Sequence, residues 1–135
     1  MTASNDKISK ASNVRKVDPI YIQVAEGLSN IDILQHVKIY NERIQASNIL
    51  STNGKKEPIT TIGEENVVGV ELLIDVPNQI IQFYTITSSV GGYGEQMVSA
   101  VINSTPNDWF IAVLMDWSHG FWQVMAERYP RLMVC

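Results

Sequence analysis

Three glycines and an aromatic residue stand directly before a helix-like run in the segment GGYGEQMVSAVI, residues 91–102. Glycine lets a ligand approach the backbone because no Cβ stands in the way. The first N–H groups of a helix have no partner inside the helix and lie at the positive end of its dipole, so phosphate is a natural ligand there. The spacing fits neither a dinucleotide motif nor a Walker loop. The alternative is a turn that needs a positive φ, with Gly94 packed against a strand.

Asp116 and His119 are a second pair whose types could do chemistry, because a spacing of three can place two metal ligands together. A metal site needs three or four ligands with supporting partners. The other histidine, His36, is far away in the sequence, and no cysteine joins the pair. Ser118 completes a Ser/His/Asp set only on paper, since adjacent residues cannot face one another in the required relay. The sequence therefore predicts no metal site and no triad.

Length, charge and cysteine content narrow the class of protein. The chain has 135 residues, of which 45% are hydrophobic, and this is enough for one domain with its own core. A net charge of -4 with 10 Lys and Arg gives no basic stripe for nucleic acid. The single cysteine, Cys135, suits a reducing compartment. Without an apolar leader or a long apolar run, we expect no membrane association and a cytoplasmic protein. We predict a polar, flexible leader over residues 1–13 and one domain over 14–135.

The N-terminal half shows two helical patterns after a short candidate strand, NVRKV at residues 13–17. Asp18 and Pro19 are suited to cap and begin the first helix. A second, longer helix is predicted because apolar residues recur at intervals of four, three and four. These residues are Ile33, Val37, Tyr40 and Ile44.

From Ile59 onward the chain is rich in β-branched and aromatic residues, which favour strands. Three antiparallel strands are predicted in ITTIG, VVGVELLIDV and IIQFYTITSS. A helix over residues 93–103, a strand in WFIAVLMDW, a helix in SHGFWQVMAERY and a last strand in RLMV follow. The predicted order is β-α-α-β-β-β-α-β-α-β. This is an α+β domain with a mixed, mostly antiparallel sheet flanked by helices.

The segment SVGGYG at residues 89–94, followed by EQMVSAVI, resembles the signature Q/R-x-x-G-x-G/A of the GNAT superfamily of N-acetyltransferases. In that family the signature lies at the turn from the fourth strand into the third helix. IGEENVVGVELLIDV resembles the family's second and third strands. FIAVLMD followed by FWQVM resembles its fifth strand and fourth helix. The resemblance extends from about Val14 to the C-terminus as an order of elements.

The resemblance implies a V-shaped separation between two strands that holds acetyl-CoA. It places the pyrophosphate of the cofactor on the backbone amides of the glycine turn, and the pantetheine arm along the preceding strand. Donors aimed at the thioester carbonyl would stabilise the developing oxyanion. Carried onto this chain, the cofactor-binding residues are Thr85, Ile86, Thr87, Gly91, Gly92, Tyr93, Gly94 and Glu95.

Direct transfer to an amine also needs a group that accepts the proton of the substrate. Glu71, in the strand before the cofactor strand, is the candidate base, and its alternative role is that of a carboxylate on a solvated strand face. Trp122 stands where the family often has a tyrosine that protonates the leaving thiolate. Tyr129, one to two turns further on, is the candidate acid, and its alternative role is that of a boundary aromatic.

The function implied is acetyl-CoA-dependent N-acetylation of a small-molecule or peptide amine, and the acidic balance favours a cationic acceptor. The alternative is a non-catalytic binding or regulatory protein of the same fold that has lost the cofactor. Ser89 in place of the signature's Gln or Arg, together with Trp122, would fit that alternative. An unrelated mixed-sheet domain is a third reading. The apolar final strand, with LMVC at 132–135, indicates a homodimer formed through a sheet edge.

Overall fold

The computed structural model describes residues 6–61, 65–88, 91–116, 118 and 120–135. This part of the chain forms seven strands and three helices. The strands are β1 (Ile8–Lys10), β2 (His36–Tyr40), β3 (Arg43–Ser47), β4 (Val68–Asp75), β5 (Ile80–Ser88), β6 (Phe110–Val113) and β7 (Leu132–Val134). The helices are α1 (Pro19–Ser29), α2 (Tyr93–Ser104) and α3 (Phe121–Arg128).

All seven strands form one sheet, in which their spatial order is the same as their order along the chain. The four central strands, β2 to β5, pair antiparallel, and this accounts for most of the ladder. β1 is parallel to β2, and β6 and β7 extend the other side in parallel. The predicted α+β class with a mixed, mostly antiparallel sheet is confirmed.

The predicted second helix over Ile33–Ile44 is wrong, because this segment forms the hairpin of β2 and β3. Its apolar spacing fits a helix, but Val37 and Ile39 also alternate with polar residues, as do Ile44 and Ala46. Alternation at period two buries one side of a strand, and β-branched residues favour it. All four side chains are buried in the core, where β3 pairs with β4 and β2 pairs with β3. The observed order is therefore β-α-β-β-β-β-α-β-α-β.

The first strand also differs from the prediction. No strand forms at residues 13–17, and β1 lies at Ile8–Lys10, inside the segment assigned to the polar leader. Ile8 is partly buried against the core and pairs in register with Val37 of β2. The predicted strand ITTIG is wrong over residues 59–61, and its residues 62 and 63 lie outside the described part of the chain. β1 is a strand because it pairs with β2 and packs Ile8 on the core, and sequence patterns do not report such contacts.

α1 begins as predicted. Asp18 Oδ1 accepts a hydrogen bond from the backbone N–H of Ile20 at 3.0 Å, and Pro19 is the first helical residue. Gly27 does not end the helix, which continues to Ser29. A Cβ at Gly27 would lie 2.9 Å from the Ser104 side chain, so this glycine allows α1 and α2 to pack closely.

α2 and the elements after it follow the prediction closely. The helix expected at residues 93–103 is Tyr93–Ser104, and the later strand, helix and final strand are β6, α3 and β7. Arg131, just before β7, holds the far end of α2 and the turn after it. Its guanidinium donates to the carbonyl oxygens of Ile102, Thr105, Pro106 and Trp109 at 2.7–3.1 Å. No described helix is both long and apolar enough to span a membrane.

The sheet has an apolar face that carries the core and a second, more polar face. Register partners across a sheet point to the same side. Ile39, Ile44, Leu72 and Phe83 are such partners, and they are buried in one cluster with side chains of all three helices. We call the opposite side the polar face. It carries a row of four register partners, Lys38, Gln45, Glu71 and Thr85.

The segment over residues 48–61 covers part of the polar face. It folds back on itself, with a bridge between Leu50 and Pro58. A Cβ at Gly69 of β4 would lie 2.8 Å from the carbonyl oxygen of Ile59 and 2.9 Å from that of Ala46. The covering segment can therefore approach the sheet this closely only over a glycine.

Gly69→Ala tests this close approach. Two backbone oxygens block the added methyl group, so we expect a loss of about 1–3 kcal/mol in the free energy of unfolding, measured with urea. Gly91→Ala is the matched control, because Gly91 has no described atom within 4 Å of its Cβ position and its φ is not positive. Equal stability of the two variants would contradict the assigned contact.

Candidate functional site

The three glycines before and within α2 lie in three different surroundings. Gly92 is the N-cap residue and has a φ of 90°, which side chains rarely adopt. Gly94 is buried, and a Cβ there would lie 3.0 Å from the Phe121 ring of α3. Gly91 has no described atom within 4 Å of its Cβ position. The predicted turn with a positive φ is confirmed at Gly92, with the difference that Gly94 packs against a helix and not a strand. The approach of a ligand to these glycines stays a prediction.

The first turn of α2 presents free backbone donors. No side chain caps the helix at Gly92, whose carbonyl accepts from Gln96 N–H at 3.3 Å. Within the described chain, the N–H groups of Tyr93, Gly94 and Glu95 donate to no other group. Free amides at the positive end of a helix dipole attract an anion.

A cavity of about 660 Å³ adjoins this turn. The end of α1 and the first half of α2 form its walls, and Tyr129 closes one side. The described residues from the predicted set that line it are Gly92, Tyr93, Glu95 and Tyr129. Thr85, Ile86 and Thr87 do not line this cavity, which lies beside the helix end and not along the strand.

Glu95 is held by the last residue of α3, Arg128, and by the next residue, Tyr129. Its carboxylate forms an ion pair with Arg128 and accepts a hydrogen bond from the Tyr129 hydroxyl at 2.9 Å. The bond to Glu95 is the main reason why the pKa of Tyr129 is raised above its ordinary value. Arg128 thus offsets a negative charge that would otherwise oppose an anion at the helix end. Sequence reasoning missed Arg128, since no pattern in the sequence pairs it with Glu95.

β5 separates from β6 before it reaches the glycine turn. The two strands pair from Ile80 with Phe110 to Gln82 with Ala112, while β5 continues to Ser88. Over residues 84–87, β5 has only β4 as a strand partner within the described chain. Backbone groups on the β6 side of this stretch are therefore available to pair with an amide-containing ligand.

An irregularity in β5 coincides with this separation. Glu71 pairs with Thr85 but the next residue, Leu72, pairs with Phe83, so Tyr84 is an extra residue. An extra residue bends the strand and reverses the side to which the following residues point. Thr85 therefore lies on the polar face beside Glu71, and Ile86 packs against the core.

Glu71 lies at the centre of a hydrogen-bonded cluster on the polar face and is only 8% exposed. Its carboxylate accepts from Arg43 Nη1 at 3.3 Å and from Gln45 Nε2 at 3.2 Å. Thr60, from the covering segment, donates its hydroxyl at 3.4 Å. The alternative of a carboxylate on a solvated face is therefore wrong, because the segment over residues 48–61 excludes water from Glu71. Arg43 and Gln45 were missed because their strand was interpreted as a helix.

Three buried polar atoms near Glu71 have no hydrogen-bond partner among the described residues: Tyr40 OH, Gln45 Oε1 and Thr85 Oγ1. Gln45 and Thr85 are the register neighbours of Glu71 on either side. Tyr40 packs its ring under Arg43, whose guanidinium carbon lies 4.6 Å from the ring centroid. Buried polar atoms without partners cost free energy, so this cluster has capacity for a further hydrogen-bonding group.

The predicted site residues fall into two groups. Thr85, Ile86 and Thr87 adjoin Glu71 across the β4–β5 ladder. Glu95 and Tyr129 contact each other at the start of α2, and no contact joins Tyr129 to Glu71. The positions Ser89, Trp117 and His119 lie outside the described residues. Asp116 accepts from the backbone and hydroxyl of Ser118, and the described residues contain no group of three potential metal ligands.

Comparisons with protein-family models, with characterised proteins and with solved structures find no match to this chain. Membership of the GNAT superfamily therefore stays a prediction, and any function has to be argued from the geometry above.

Tyr40 gives a pH-dependent test of the polar cluster. Burial is the main cause that raises the pKa of Tyr40 from 10.0 to about 12. The folded state thus favours the neutral phenol, which contributes stability below pH 10.0 that is lost as the pH rises through about 12. In an ultraviolet titration of tyrosinate, we expect Tyr40→Phe to remove an ionisation near pH 12. Loss of an ionisation at the ordinary value would contradict the burial of this hydroxyl.

Proposed function

We propose that the protein is an acetyl-CoA-dependent N-acetyltransferase that transfers the acetyl group directly to an amine. The observation that supports this most is the course of β5. One edge of this strand is left without a partner after Gln82, and the strand leads into a helix whose first three amides are free. CoA has both matching features, since its pantetheine arm carries amides and its other end carries a diphosphate.

The diphosphate end would lie at the glycine turn. The amides of Tyr93, Gly94 and Glu95 supply donors, and the open space at Gly91 lets phosphate oxygens approach. Arg128, whose side chain is 56% exposed, adds a cation at the same end. Because Arg128 and Tyr129 bond to Glu95, part of its negative charge is offset at the end where the diphosphate would lie.

The acyl end would lie near Thr85, where the strands separate. Backbone N–H groups over residues 85–87 would pair with the pantetheine arm and polarise the thioester carbonyl. Glu71 pairs with Thr85 in the ladder, so its carboxylate is the base nearest to that position. It would take the proton of the attacking amine, and the thiolate of CoA would leave.

The proposal gives Tyr129 a role other than the predicted one of general acid. Its hydroxyl hydrogen is used in the bond to Glu95, at the end of the site that would hold the diphosphate. A proton source for the thiolate is not essential, because an alkyl thiolate with a pKa of about 8.5 is a tolerable leaving group near neutral pH. We propose that Tyr129 positions Glu95 and that water protonates the thiolate.

The acceptor would be a small-molecule or peptide amine in the cytoplasm. A cationic amine suits the buried Glu71 and the net charge of -4.

The homodimer expected from the apolar final strand stays a prediction.

A non-catalytic binding protein is the second candidate, and Trp122 favours it. This residue is 4% exposed and packs on Phe83 and Phe121, with ring centroids 5.0 Å apart in each pair. The position of the family's acid is thus part of the core. Because this candidate has lost the cofactor, a folded wild-type protein that does not bind acetyl-CoA would favour it.

Gly91→Glu tests the diphosphate site. The position has open space and no positive φ, so the side chain fits, but its charge repels the diphosphate. We expect wild-type protein to bind acetyl-CoA with a dissociation constant of about micromolar order. Gly91→Glu should weaken it about tenfold or more, and Gly91→Ala about twofold at most.

Isothermal titration calorimetry measures this series, with urea unfolding of each variant to show that it is folded. If the wild-type protein shows no heat of binding with acetyl-CoA, the enzymatic proposal and the proposed location of the diphosphate are both overturned. Equal affinity of the Glu and Ala variants would overturn the location alone.

Glu71→Gln tests the base. The amide has nearly the shape of the carboxylate, and it keeps only part of the hydrogen bonding to Arg43 and Gln45. It cannot accept the proton of the attacking amine. We expect kcat, measured as release of CoA with a panel of primary amines, to fall about 100-fold or more. The affinity for acetyl-CoA should change little.

Glu127→Gln is the control for that variant, because Glu127 is an exposed carboxylate on α3. A kcat for Glu71→Gln equal to that of this control would remove Glu71 from the mechanism.

A further inference from the structure

Half of the chain's Lys and Arg residues line one cavity. The whole chain has 10 such residues, and five of them, all lysines, surround a cavity of about 410 Å³. This volume lies in the usual range of small-molecule pockets. The cavity lies between β1, β2 and the segment over residues 48–61, and it shares no lining residue with the cavity at α2. The lysines are Lys7, Lys10, Lys38, Lys55 and Lys56.

Two of these lysines are fixed by backbone carbonyl groups. Lys7 Nζ donates to the carbonyl oxygens of Ser29 at 3.0 Å and Ile31 at 3.4 Å, at the end of α1. Lys38 Nζ donates to the carbonyl oxygen of Lys55 at 3.3 Å. The second bond ties β2 to the covering segment and so places Lys55 and Lys56 at the rim of the cavity.

The covering segment holds its lysines by its own hydrogen bonds. Asn53 Oδ1 accepts from the Ser51 hydroxyl at 2.8 Å and from the backbone N–H of Lys55 at 3.1 Å. The Ser51 hydroxyl also accepts from Glu57 N–H at 3.1 Å. Lys56 has a φ of 52°, which is uncommon for a residue with a side chain. A lysine kept in such a conformation by a closed network is a positioned group, and strained positions concentrate at functional sites.

The charges of this cavity are not balanced within the described protein. Among the residues that the structure describes, Asp6 is the only acidic one that lines it. Neither of the ion pairs found among the described residues involves these lysines. Five like charges repel one another, and an anion relieves this repulsion. A cluster of five lysines is less expected in a chain whose net charge is -4 than in a basic protein, so it points more strongly to an anion site.

The types of residue identify the class of anion. A lysine ammonium is a compact charge with three donors, which suits the several oxygens of a phosphate. Arginine is better suited to a carboxylate, because its planar guanidinium forms two parallel hydrogen bonds with it. The described residues that line the cavity include no arginine, and no Phe, Tyr or Trp that offers a face for stacking a nucleobase. We propose that this cavity binds a small molecule through a phosphate or diphosphate group. The site is separate from the proposed acetyl-CoA site and does not depend on it.

Inorganic pyrophosphate is the probe for this site. Titrated into ¹⁵N-labelled protein, it should shift the amide resonances of residues 53–57 and of His36, which also lines the cavity. The variant Lys55→Ala/Lys56→Ala should bind about tenfold more weakly or worse, because it loses two charge-assisted contacts. Arg15→Ala/Lys16→Ala is the matched control, since both residues are exposed, lie outside the cavity and remove the same charge.

Repeating the titration with saturating CoA separates this site from the glycine turn. We expect the shifts at residues 53–57 to persist, and Gly91→Glu to leave them unchanged. Shifts confined to residues 91–95, or equal affinity of the two double variants, would overturn the inference and leave the proposed function standing. Binding of a single-stranded oligonucleotide in place of pyrophosphate, with the same dependence on Lys55 and Lys56, would replace the small molecule by a nucleic acid.

Discussion

One extra residue in β5 governs the arrangement on which the candidate site depends. Because Tyr84 has no partner in β4, the residues after it point to the opposite side from the one that strict alternation would give them. Thr85 is thereby placed beside Glu71, while Ile86 supplies apolar surface to the core. The pairing of β5 with β6 ends at Gln82, just before this irregularity, and β5 continues alone with β4 toward the glycine turn. The irregularity thus sets the side chains of the polar cluster and coincides with the open strand edge.

Local patterns predicted the C-terminal half of the fold well and part of the N-terminal half poorly. α1 was predictable because Asp18 and Pro19 determine its start locally. The hairpin of β2 and β3 was not, since a helical spacing and an alternating one overlap in the same residues. Burial against β4 decided between them, and that contact joins residues far apart in the chain. β1 was missed for the same reason, because pairing along β2 and not its own composition makes it a strand.

The candidate site, like the fold, could be predicted from the sequence only in part. Chemistry carried by adjacent residues was visible in the sequence, as in the free amides of residues 93–95. Chemistry assembled across strands or between helices was not visible. Arg43, Gln45 and Thr60 converge on Glu71 from two different elements. Likewise, nothing in the sequence shows that lysines 48 residues apart, such as Lys7 and Lys55, border one cavity.

The two ends of α2 are held in unequal ways. At the carboxyl end, one guanidinium bonds to four carbonyl oxygens, and this cation keeps its proton at any pH at which a protein remains folded. At the amino end, a glycine begins the helix without any side-chain cap. The first turn has no such bonds to its backbone, and side-chain contacts hold it instead, since Glu95 bonds to Arg128 and Tyr129 and Gly94 packs against Phe121. An incoming anion would thus meet amide donors that are already in position, which lowers the entropic cost of binding.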